Sequence, residues 1–443
     1  MLRYIVFSFF MLGALSAAAQ QELMLHTMPD LWHANSINPA FFPKDKKVAI
    51  GLPGYSLDAA HSGKLSYNDF LVKDGDRTIL SFSNAISKLE QENEVFADQR
   101  IETLSLGLRF GKWAVQAGHA NRLNAFIAYP RDLAEVLWNG NGPYVGQSKN
   151  LGLHMNFYDW NEWSVGISRH SERLSLGLRI KLLNGVSTFQ TDADHSRATV
   201  YTDPDIYQLT LQTDYGFYSS SIINAIDTSG LGFDIDVDDV AAKLFSSNTG
   251  TAFDFGLEFR PTKKLSISAS VLDMGGRINW KENAAYFRSE GTYTYNGVVF
   301  EGAGIISGTD SLDFNQQLDT LNDIFKFNKF AREYRTEMPQ RLFAGATYQL
   351  NKRFQVGVSV FAQNANNVRR SGAGVSLRWQ PLRWISGGIM YSVNNRSAAN
   401  LGLHVALKPG PVQLYFASDH IPAVFNLRGQ PAANLRMGAS IVW

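Results

Sequence analysis

The feature that most constrains the fold of this chain is an alternation of apolar with small or polar residues that recurs along its length. Residues 104–110, 174–180, 265–271 and 401–407 carry an apolar side chain at every second position, with mostly Ser, Gly, Arg or His between them. Successive side chains of a β-strand point to opposite faces, so each stretch predicts a strand with one apolar face. The pattern predicts an all-β chain.

The second face of these strands distinguishes a membrane barrel from a soluble sandwich, since both would alternate. The segments approach the roughly 9–11 residues that a tilted membrane strand requires, and the second face is polar. In the last segment one face is formed by Leu435, Met437, Ala439, Ile441 and Trp443. An aromatic final residue within a strand resembles the ending of outer-membrane barrels. We predict a transmembrane antiparallel β-barrel.

The lengths of the connections support this prediction, because such barrels have short periplasmic turns and longer outer loops. With the C-terminus taken as periplasmic, the tight turns on its side are 261–264, 351–352, 380–383 and 408–411. The long connections 218–249 and 274–338 fall on the opposite side, and further turns are predicted at 111–112 and 159–162. We expect about fourteen strands, within a range of twelve to sixteen.

The composition excludes several classes of function. Charged residues make up 18% of the chain, against roughly 25% in soluble domains. Lys and Arg total 41 while Asp and Glu total 40, and this net charge of +1 argues against nucleic acid as a partner. The chain contains no Cys, which excludes disulfides, thiolate metal sites and Cys nucleophiles.

The N-terminus has the pattern of a secretory signal peptide over residues 1–19. Arg3 precedes an apolar run over 4–15, and small residues follow at 16–19. This run is shorter than the roughly 20 residues of a membrane-spanning helix, and no run of about eighteen apolar residues follows it. We therefore expect the chain in the outer membrane of a Gram-negative bacterium.

The next segment, residues 20–47, is too irregular for a strand and too apolar for a free tail. A barrel of this size would otherwise enclose a column of water, so we predict that this segment is a plug and that the barrel occupies 48–443. The plug residues are predicted to be Asn38, Pro39, Ala40, Phe41 and Phe42.

Three features are predicted in the outer loops. Apolar residues at helical spacing predict amphipathic helices over 313–334 and 240–245, either packed against the loops or forming a lid. Asp234, Asp236, Asp238 and Asp239 resemble the alternating carboxylates that bind calcium. That loop lacks the Gly and the distal Glu of a calcium-binding loop, which favours a solvated acidic loop.

Motifs for catalysis or metal binding are not evident. The nine His residues show neither HExxH nor a paired zinc spacing, so no catalytic residue, metal or cofactor is predicted. The residues that strand parity directs into the lumen are Arg109, His154, Arg179, His404 and Arg436. Lumenal Arg residues are expected to pair with carboxylates such as Asp254 and Glu258. A lumenal His beside a Ser would instead indicate a surface hydrolase.

Several stretches resemble known families. Asn38-Pro39-Ala40 resembles the N-terminal hatch of long-chain fatty-acid transporters of the outer membrane. Residues 250–280, 318–358 and 401–419 look like an uncharacterised family of Bacteroidota outer-membrane barrels related to that type. The hatch-like element is also similar to one in membrane barrels of type IX secretion. These resemblances imply a fold and a location, and they imply a function only by analogy.

The sequence thus predicts a non-enzymatic barrel that acts as a passive conduit for small hydrophobic molecules. The expected partners are membrane lipid and a hydrophobic small molecule. The alternative is a structural barrel that anchors a periplasmic or surface protein of a secretion or surface complex.

Overall fold

The computed structural model of the chain describes residues 23–63, 65–74, 77–221, 245–296, 325–365, 368–394, 400–421 and 432–443. The strands in these ranges are β1 Val48–His61, β2 Leu71–Asp74, β3 Arg77–Leu80, β4 Glu92–Phe110, β5 Trp113–Pro130, β6 Ser148–Asn150, β7 His154–His170, β8 Leu174–Thr202, β9 Gln208–Ser221, β10 Thr249–Phe259, β11 Leu265–Trp280, β12 Ala285–Asn296, β13 Asn328–Ala331, β14 Tyr334–Glu337, β15 Gln340–Gln349, β16 Phe354–Ala365, β17 Val368–Leu382, β18 Ile385–Asn394, β19 Asn400–Leu407, β20 Val412–Ser418 and β21 Ala432–Val442.

Helices are few and short in the same ranges. The α-helices are α1 Leu23–His26, α2 Phe82–Ser87 and α3 Arg131–Asn139, and the 3-10 helices are η1 Trp32–Ser36, η2 Tyr67–Phe70 and η3 Gly142–Tyr144. Across the described part of the chain, no helix combines the length and the hydropathy needed to cross a membrane.

Fourteen of the strands close into an antiparallel barrel. Their order around the wall is β1, β4, β5, β7, β8, β10, β11, β15, β16, β17, β18, β19, β20 and β21. The barrel closes at β1, where Ile50 is the register partner of Leu106 on β4 and of Ile441 on β21. The predicted fold class and strand count are confirmed.

The alternation in the sequence corresponds to two different faces of the wall. On β8, Leu178 and Ile180 are 56% and 52% exposed on the outside, whereas Ser175 and Lys181 are buried on the inside. A soluble β-protein would bury the apolar face and expose the polar one. The inverse arrangement here is the one expected of a wall surrounded by acyl chains.

The sheet continues beyond the barrel at the end of the wall opposite the short turns. β8 is 29 residues long, and beyond its pairing with β10 it pairs with β9; β9 pairs with β12, and β12 pairs with β13. We call this part of the sheet, residues 187–221, 285–296 and 328–331, the outer extension. Its core contains Val200, Leu209 and Leu211, and Val136 of α3 packs against them.

Two sequence predictions are wrong. The turn predicted at 159–162 lies inside β7, because the strand continues without interruption from His154 to His170. Trp160 and Glu162 are two positions apart and both point to the barrel interior, where they are 1% and 2% exposed. Residues 274–338 are not one long loop, since β11 continues to Trp280 and β12, β13 and β14 follow.

Other predictions fall wholly or partly outside the described residues. The end of the helix predicted at 313–334 is strand, in β13 and at the start of β14, and its residues up to 324 lie outside. The signal peptide, residues 240–244 and the acidic loop at 234–239 lie outside as well.

Candidate functional site: the lumen and the N-terminal segment

Residues 23–43, which we call the N-terminal segment, lie inside the barrel. Their apolar side chains form one buried cluster with inward residues of the wall. The members from the segment are Leu23, Met24, Leu25, Met28, Leu31, Ala34, Ile37 and Phe41. Leu272, Phe343, Phe361 and Met390 are among the wall residues that they contact. The lumen at this level is therefore filled with protein.

The wall makes room for this segment with small inward residues. A Cβ atom added to Gly177 would overlap the backbone of Pro39, and one added to Gly256 would overlap the side chain of Asn38. Asn38 donates to the carbonyl oxygens of Leu257 and Ala269, each at 3.2 Å. The Asn-Pro-Ala element is thus held directly against β8, β10 and β11.

Polar contacts anchor the rest of the segment. The Trp32 indole donates to Ser105 Oγ at 2.7 Å, and His33 contacts Glu102 Oε2 through Nδ1 at 2.8 Å. Asp30, whose side chain is 37% exposed, receives two hydrogen bonds of 2.9 Å from Arg378. Lys408 also pairs with Asp30. Charge-assisted, bidentate contacts of this kind fix both position and orientation.

Beyond the segment, buried charges crowd the lumen. We call this set the ionic cluster; it comprises Arg122, Glu162, Lys181, Asp254, Asp273 and Arg341. The Lys181 ammonium lies 2.6 Å from Asp273, 3.1 Å from Asp254 and 3.4 Å from Glu162. Asp273 also accepts from Arg341 at 2.8 Å and from Arg122 at 3.1 Å. These side chains are at most 5% exposed.

Arg179 joins the ionic cluster to the N-terminal segment. Its Nε donates to Asp254 at 2.9 Å, and its Nη2 donates to the backbone oxygens of Asn35 and Ser36 at 2.9 and 3.3 Å. Because Asp254 pairs with both Arg179 and Lys181, a displacement of the N-terminal segment would also change the contacts within the ionic cluster.

On the outer side of the ionic cluster the lumen becomes apolar and aromatic. The buried residues there are Tyr158, Trp160, Leu183, Ala252, Ile278, Trp280 and Met338, which we call the aromatic cluster. The Arg122 guanidinium lies 5.0 Å from the centre of the Trp160 ring, so the two clusters are in direct contact.

A cavity, which we call the side chamber, lies between the N-terminal segment and the wall at β4, β5 and β7. It has a volume of about 30 Å³ and is lined by Trp32, His33, Asn35, Ser36, Arg100, Glu102, Ser105, Gln116, Ala117, Gly118, His119, Ser164 and Arg179. Ala117 and His119 belong to the outward-facing positions of β5, whereas Gln116 and Gly118 face inward. The lining of the chamber therefore includes residues from both faces of β5.

The side chamber lies beside an irregularity in strand pairing. Between Glu102 and Leu104 of β4 the register with β5 shifts, which leaves Thr103 without a register partner on β5. Bulges disrupt the hydrogen-bond ladder locally and redirect side chains. Thr103 Oγ1 contacts His119 Nδ1 at 2.8 Å, and the His119 ring lies 4.2 Å from that of Trp163.

The sequence-predicted lumen residues occupy different environments. Arg179 meets the N-terminal segment, His404 Nδ1 lies 3.2 Å from Met24 Sδ, and Arg436 pairs with Asp419 at 3.0 Å. Arg109 contacts the Gly111 oxygen at the short-turn end of the wall. His154 lies half-buried near the outer end of β7, 3.2 Å from the Asn156 amide.

The carboxylates considered with these residues do have Arg partners. Asp254 pairs with Arg179 and Glu258 with Arg260, at 2.9 and 2.8 Å. The polar contacts described above for His154 and His404 are with Asn156 and Met24 and not with Ser. Ser–His contacts occur instead at His170, which lies 2.9 Å from Ser168, and at His26, 2.9 Å from Ser268.

Sequence reasoning missed most of the ionic cluster. Lys181 shares the inward parity of Arg179 two positions earlier, so its orientation was available from the pattern. Glu162 was hidden by the predicted turn at 159–162. No group of three or more His, Cys, Asp or Glu residues suited to a metal ion occurs within the described ranges.

Together these features define the class: a closed β-barrel whose lumen contains its own N-terminal segment. The chain belongs to a family of unknown function, DUF5723, which matches residues 39–419. No curated protein matches it.

Among solved structures, the chain is similar to the Ralstonia pickettii toluene transporter TbuX, with 10% identity, a TM-score of 0.43 and coverage of 93% of each chain. It is similar to the Pseudomonas putida toluene transporter TodX, with 10% identity, a TM-score of 0.42 and coverage of 97% and 94%. A Pseudomonas aeruginosa FadL homologue has 11% identity, a TM-score of 0.42 and coverage of 97% of each chain.

Proposed function

We propose that this chain is an outer-membrane β-barrel that conducts small hydrophobic molecules passively, with residues 1–19 as its signal peptide. The observation that carries the proposal is the side chamber, because its lining joins inward and outward positions of β5. A solute that leaves the lumen there enters the acyl chains rather than water. The free energy of an apolar solute falls when it moves from water into acyl chains, so no energy source is required.

The two ends of the route have the required properties. The aromatic cluster offers buried apolar surface on the outer side, where an apolar molecule would be held by Trp160 and Trp280. At the opposite end, the N-terminal segment acts as a plug, in which Asn38 to Phe42 block the straight path to the periplasm. The cargo would therefore leave sideways, with membrane lipid as the next environment.

A small-to-large substitution at the chamber tests the proposal. A Cβ at Gly118 would meet Ser105 Cβ at 3.2 Å and Ser164 Oγ at 3.6 Å, both of them wall residues, so Gly118→Val narrows the chamber from the side of the wall. Gly142→Val is the matched control, because nothing lies within 4 Å of a Cβ there.

The readout is uptake of a radiolabelled monoaromatic compound and of a long-chain fatty acid by cells that lack or express the protein. We expect expression to raise uptake of at least one probe, Gly118→Val to abolish that gain, and Gly142→Val to retain it. Equal uptake with and without the protein for both probes would overturn the proposal.

The remaining expectations from sequence resemblance are a Bacteroidota origin and a kinship with type IX secretion barrels. The alternative function, an anchor for a protein partner, has no specific observation in its favour among the described residues. Copurification of a protein partner in stoichiometric amount after mild crosslinking would support this alternative function.

A further inference from the structure

The ionic cluster connects six neighbouring strands, β5, β7, β8, β10, β11 and β15, through the interior of the barrel. Arg122 belongs to β5 and its partner Asp273 to β11, with β7, β8 and β10 between them around the barrel. The two side chains meet at 3.1 Å, so the contact is a chord across the interior. Arg341 of β15 extends the chord to the next strand through the same carboxylate.

A second contact crosses the lumen from the other side. The Arg370 guanidinium of β17 lies 3.1 Å from the centre of the Phe96 ring of β4. Between these strands lie β18, β19, β20, β21 and β1, so the two residues are on nearly opposite sides of the wall. Asp98, two residues after Phe96, lies 3.5 Å from Arg122 and connects the two crossings.

The position of the ionic cluster along the lumen gives it a function distinct from that of the plug. Arg122 contacts the aromatic cluster on the outer side through Trp160, and Asp254 reaches the side chamber through Arg179. The ionic cluster therefore lies between the aromatic cluster and the side chamber. The N-terminal segment lies beyond that point.

The charges of the ionic cluster balance, with the three bases Arg122, Lys181 and Arg341 against the three acids Glu162, Asp254 and Asp273. A buried charge without its partner is strongly unfavourable. A single member of the ionic cluster therefore does not move away by itself, and the cluster stays closed unless all of its charged side chains move apart at the same time. Rings of charged side chains of one sign set the selectivity of a pore.

We propose that the ionic cluster is a second closure of the lumen, in series with the N-terminal segment, and that its charge balance determines which ions pass when it parts. This inference does not depend on the identity of the cargo, since it concerns ion flow through the barrel. The barrel is sealed twice, and opening one seal leaves the other in place.

The test is single-channel conductance of the full-length mature chain in planar bilayers under a KCl gradient. Asp30→Asn with Asn38→Ala weakens two anchors of the N-terminal segment. Asp273→Asn leaves the ionic cluster with an excess of positive charge, and Lys181→Met leaves an excess of negative charge. Asp214→Asn in the outer extension is the matched control for loss of one carboxylate outside the lumen.

We expect little conductance from the anchor variant or from either cluster variant alone. Anchor and cluster changes together should open the barrel, with the reversal potential shifted toward the chloride value for Asp273→Asn and toward the potassium value for Lys181→Met. Asp214→Asn should add nothing to the anchor variant. Selectivity that inverts with the sign of the residual charge is a result that a merely structural role would not produce.

Three outcomes would overturn the inference. The anchor variant alone could conduct as strongly as the combinations, which would mean a single closure. The combinations could share one selectivity, which would remove the role of charge. They could also stay closed although protease cuts the N-terminal segment, which would place the seal elsewhere. Heat-modifiable electrophoretic migration verifies folding, and Glu162→Gln or Arg341→Met replaces a variant that does not fold.

Discussion

The two halves of β8 follow the same two-residue alternation in different surroundings. In residues 174–184 the even positions, such as Leu178, point outward and are exposed, and the odd positions, such as Lys181, are buried in the lumen. In residues 196–202 the even positions, such as Val200, are buried in the core of the outer extension. The odd position Arg197 is 80% exposed there. One strand thus has its apolar face exposed in the wall and buried above it.

This reversal shows that the alternation in the sequence indicates only a difference in polarity between the two faces of a strand. It does not show which of the two faces meets water. At 29 residues, β8 is about three times as long as the roughly 9–11 residues needed to cross a membrane, so it must serve two environments. The register shift between Thr191 and Ser196 marks the change. An apolar residue at an exposed position should therefore be important for stability on the wall side of that shift and unimportant on the side of the outer extension.

The largest contrast is expected from reciprocal substitutions within this strand. Leu178→Arg places a charge on the outward face near the middle of the wall segment and should cost about 2–4 kcal/mol of folding free energy. Arg197→Leu removes an exposed ion pair with Asp214 and should change stability by less than about 1 kcal/mol. Both are measured by guanidinium unfolding in phospholipid vesicles.

Equal effects of these two substitutions would contradict a lipid-facing wall, because a position facing water tolerates either residue. A large effect of Arg197→Leu alone would show that the faces of the outer extension have been assigned the wrong way round. The same measurements in detergent micelles indicate whether the penalty at Leu178 depends on the bilayer.

The next effect concerns the core of the outer extension. Val200→Ala removes two methyl groups from a buried cluster and should destabilise the extension by about 2 kcal/mol. Val165→Ala is the matched control on the outward face of β7, where the side chain is 67% exposed and leaves no protein cavity. Amide hydrogen exchange in β9 should accelerate for the first variant and not for the second. Acceleration in both would mean that the wall and the extension unfold as one unit.

The fold was more accessible to prediction than the site. Period-two patterning and turn lengths determine strands and their parity locally, which is why 265–271 and 401–407 were placed without a structure. The outer extension was not found, because β12 and β13 lie in a stretch interpreted as a loop and β9, the partner of β12, is distant in sequence. The ionic cluster depends on contacts across the lumen, such as that between Arg122 and Asp273. The closure of the barrel brings such residues together, and the local sequence pattern does not show it.

A third surface of β8, the lumenal side of its lower half, meets protein instead of lipid or water. Gly177→Ala would add a Cβ that overlaps the Pro39 backbone, and such overpacking costs about 1–3 kcal/mol. Because backbone cannot rotate away, we expect the N-terminal segment to shift and to become more susceptible to protease from the short-turn side. Gly142→Ala is the control with open space around it. Unchanged protection in Gly177→Ala would place the Asn-Pro-Ala element elsewhere in the lumen.

The smallest effect is expected from acidification of the outer extension. The hydrogen bond from Arg197 is the main cause that lowers the pKa of Asp214 below its ordinary value of 3.8. Burial acts in the opposite direction, and the contacts with Arg288 and His195 lower the pKa further. Glu290 faces the same group through Arg288. A lowered folded pKa means that Asp214 stabilises the extension above about pH 4 and that this contribution disappears as the pH falls below that value. Since the group is largely solvated, the loss should stay below about 1 kcal/mol.

Hydrogen exchange of β9 between pH 5 and 3, corrected for intrinsic rates, should show this loss in the natural chain and not in Asp214→Asn. Equal acid sensitivity of the two would assign the effect to another carboxylate and remove Asp214 from the account of the extension's stability.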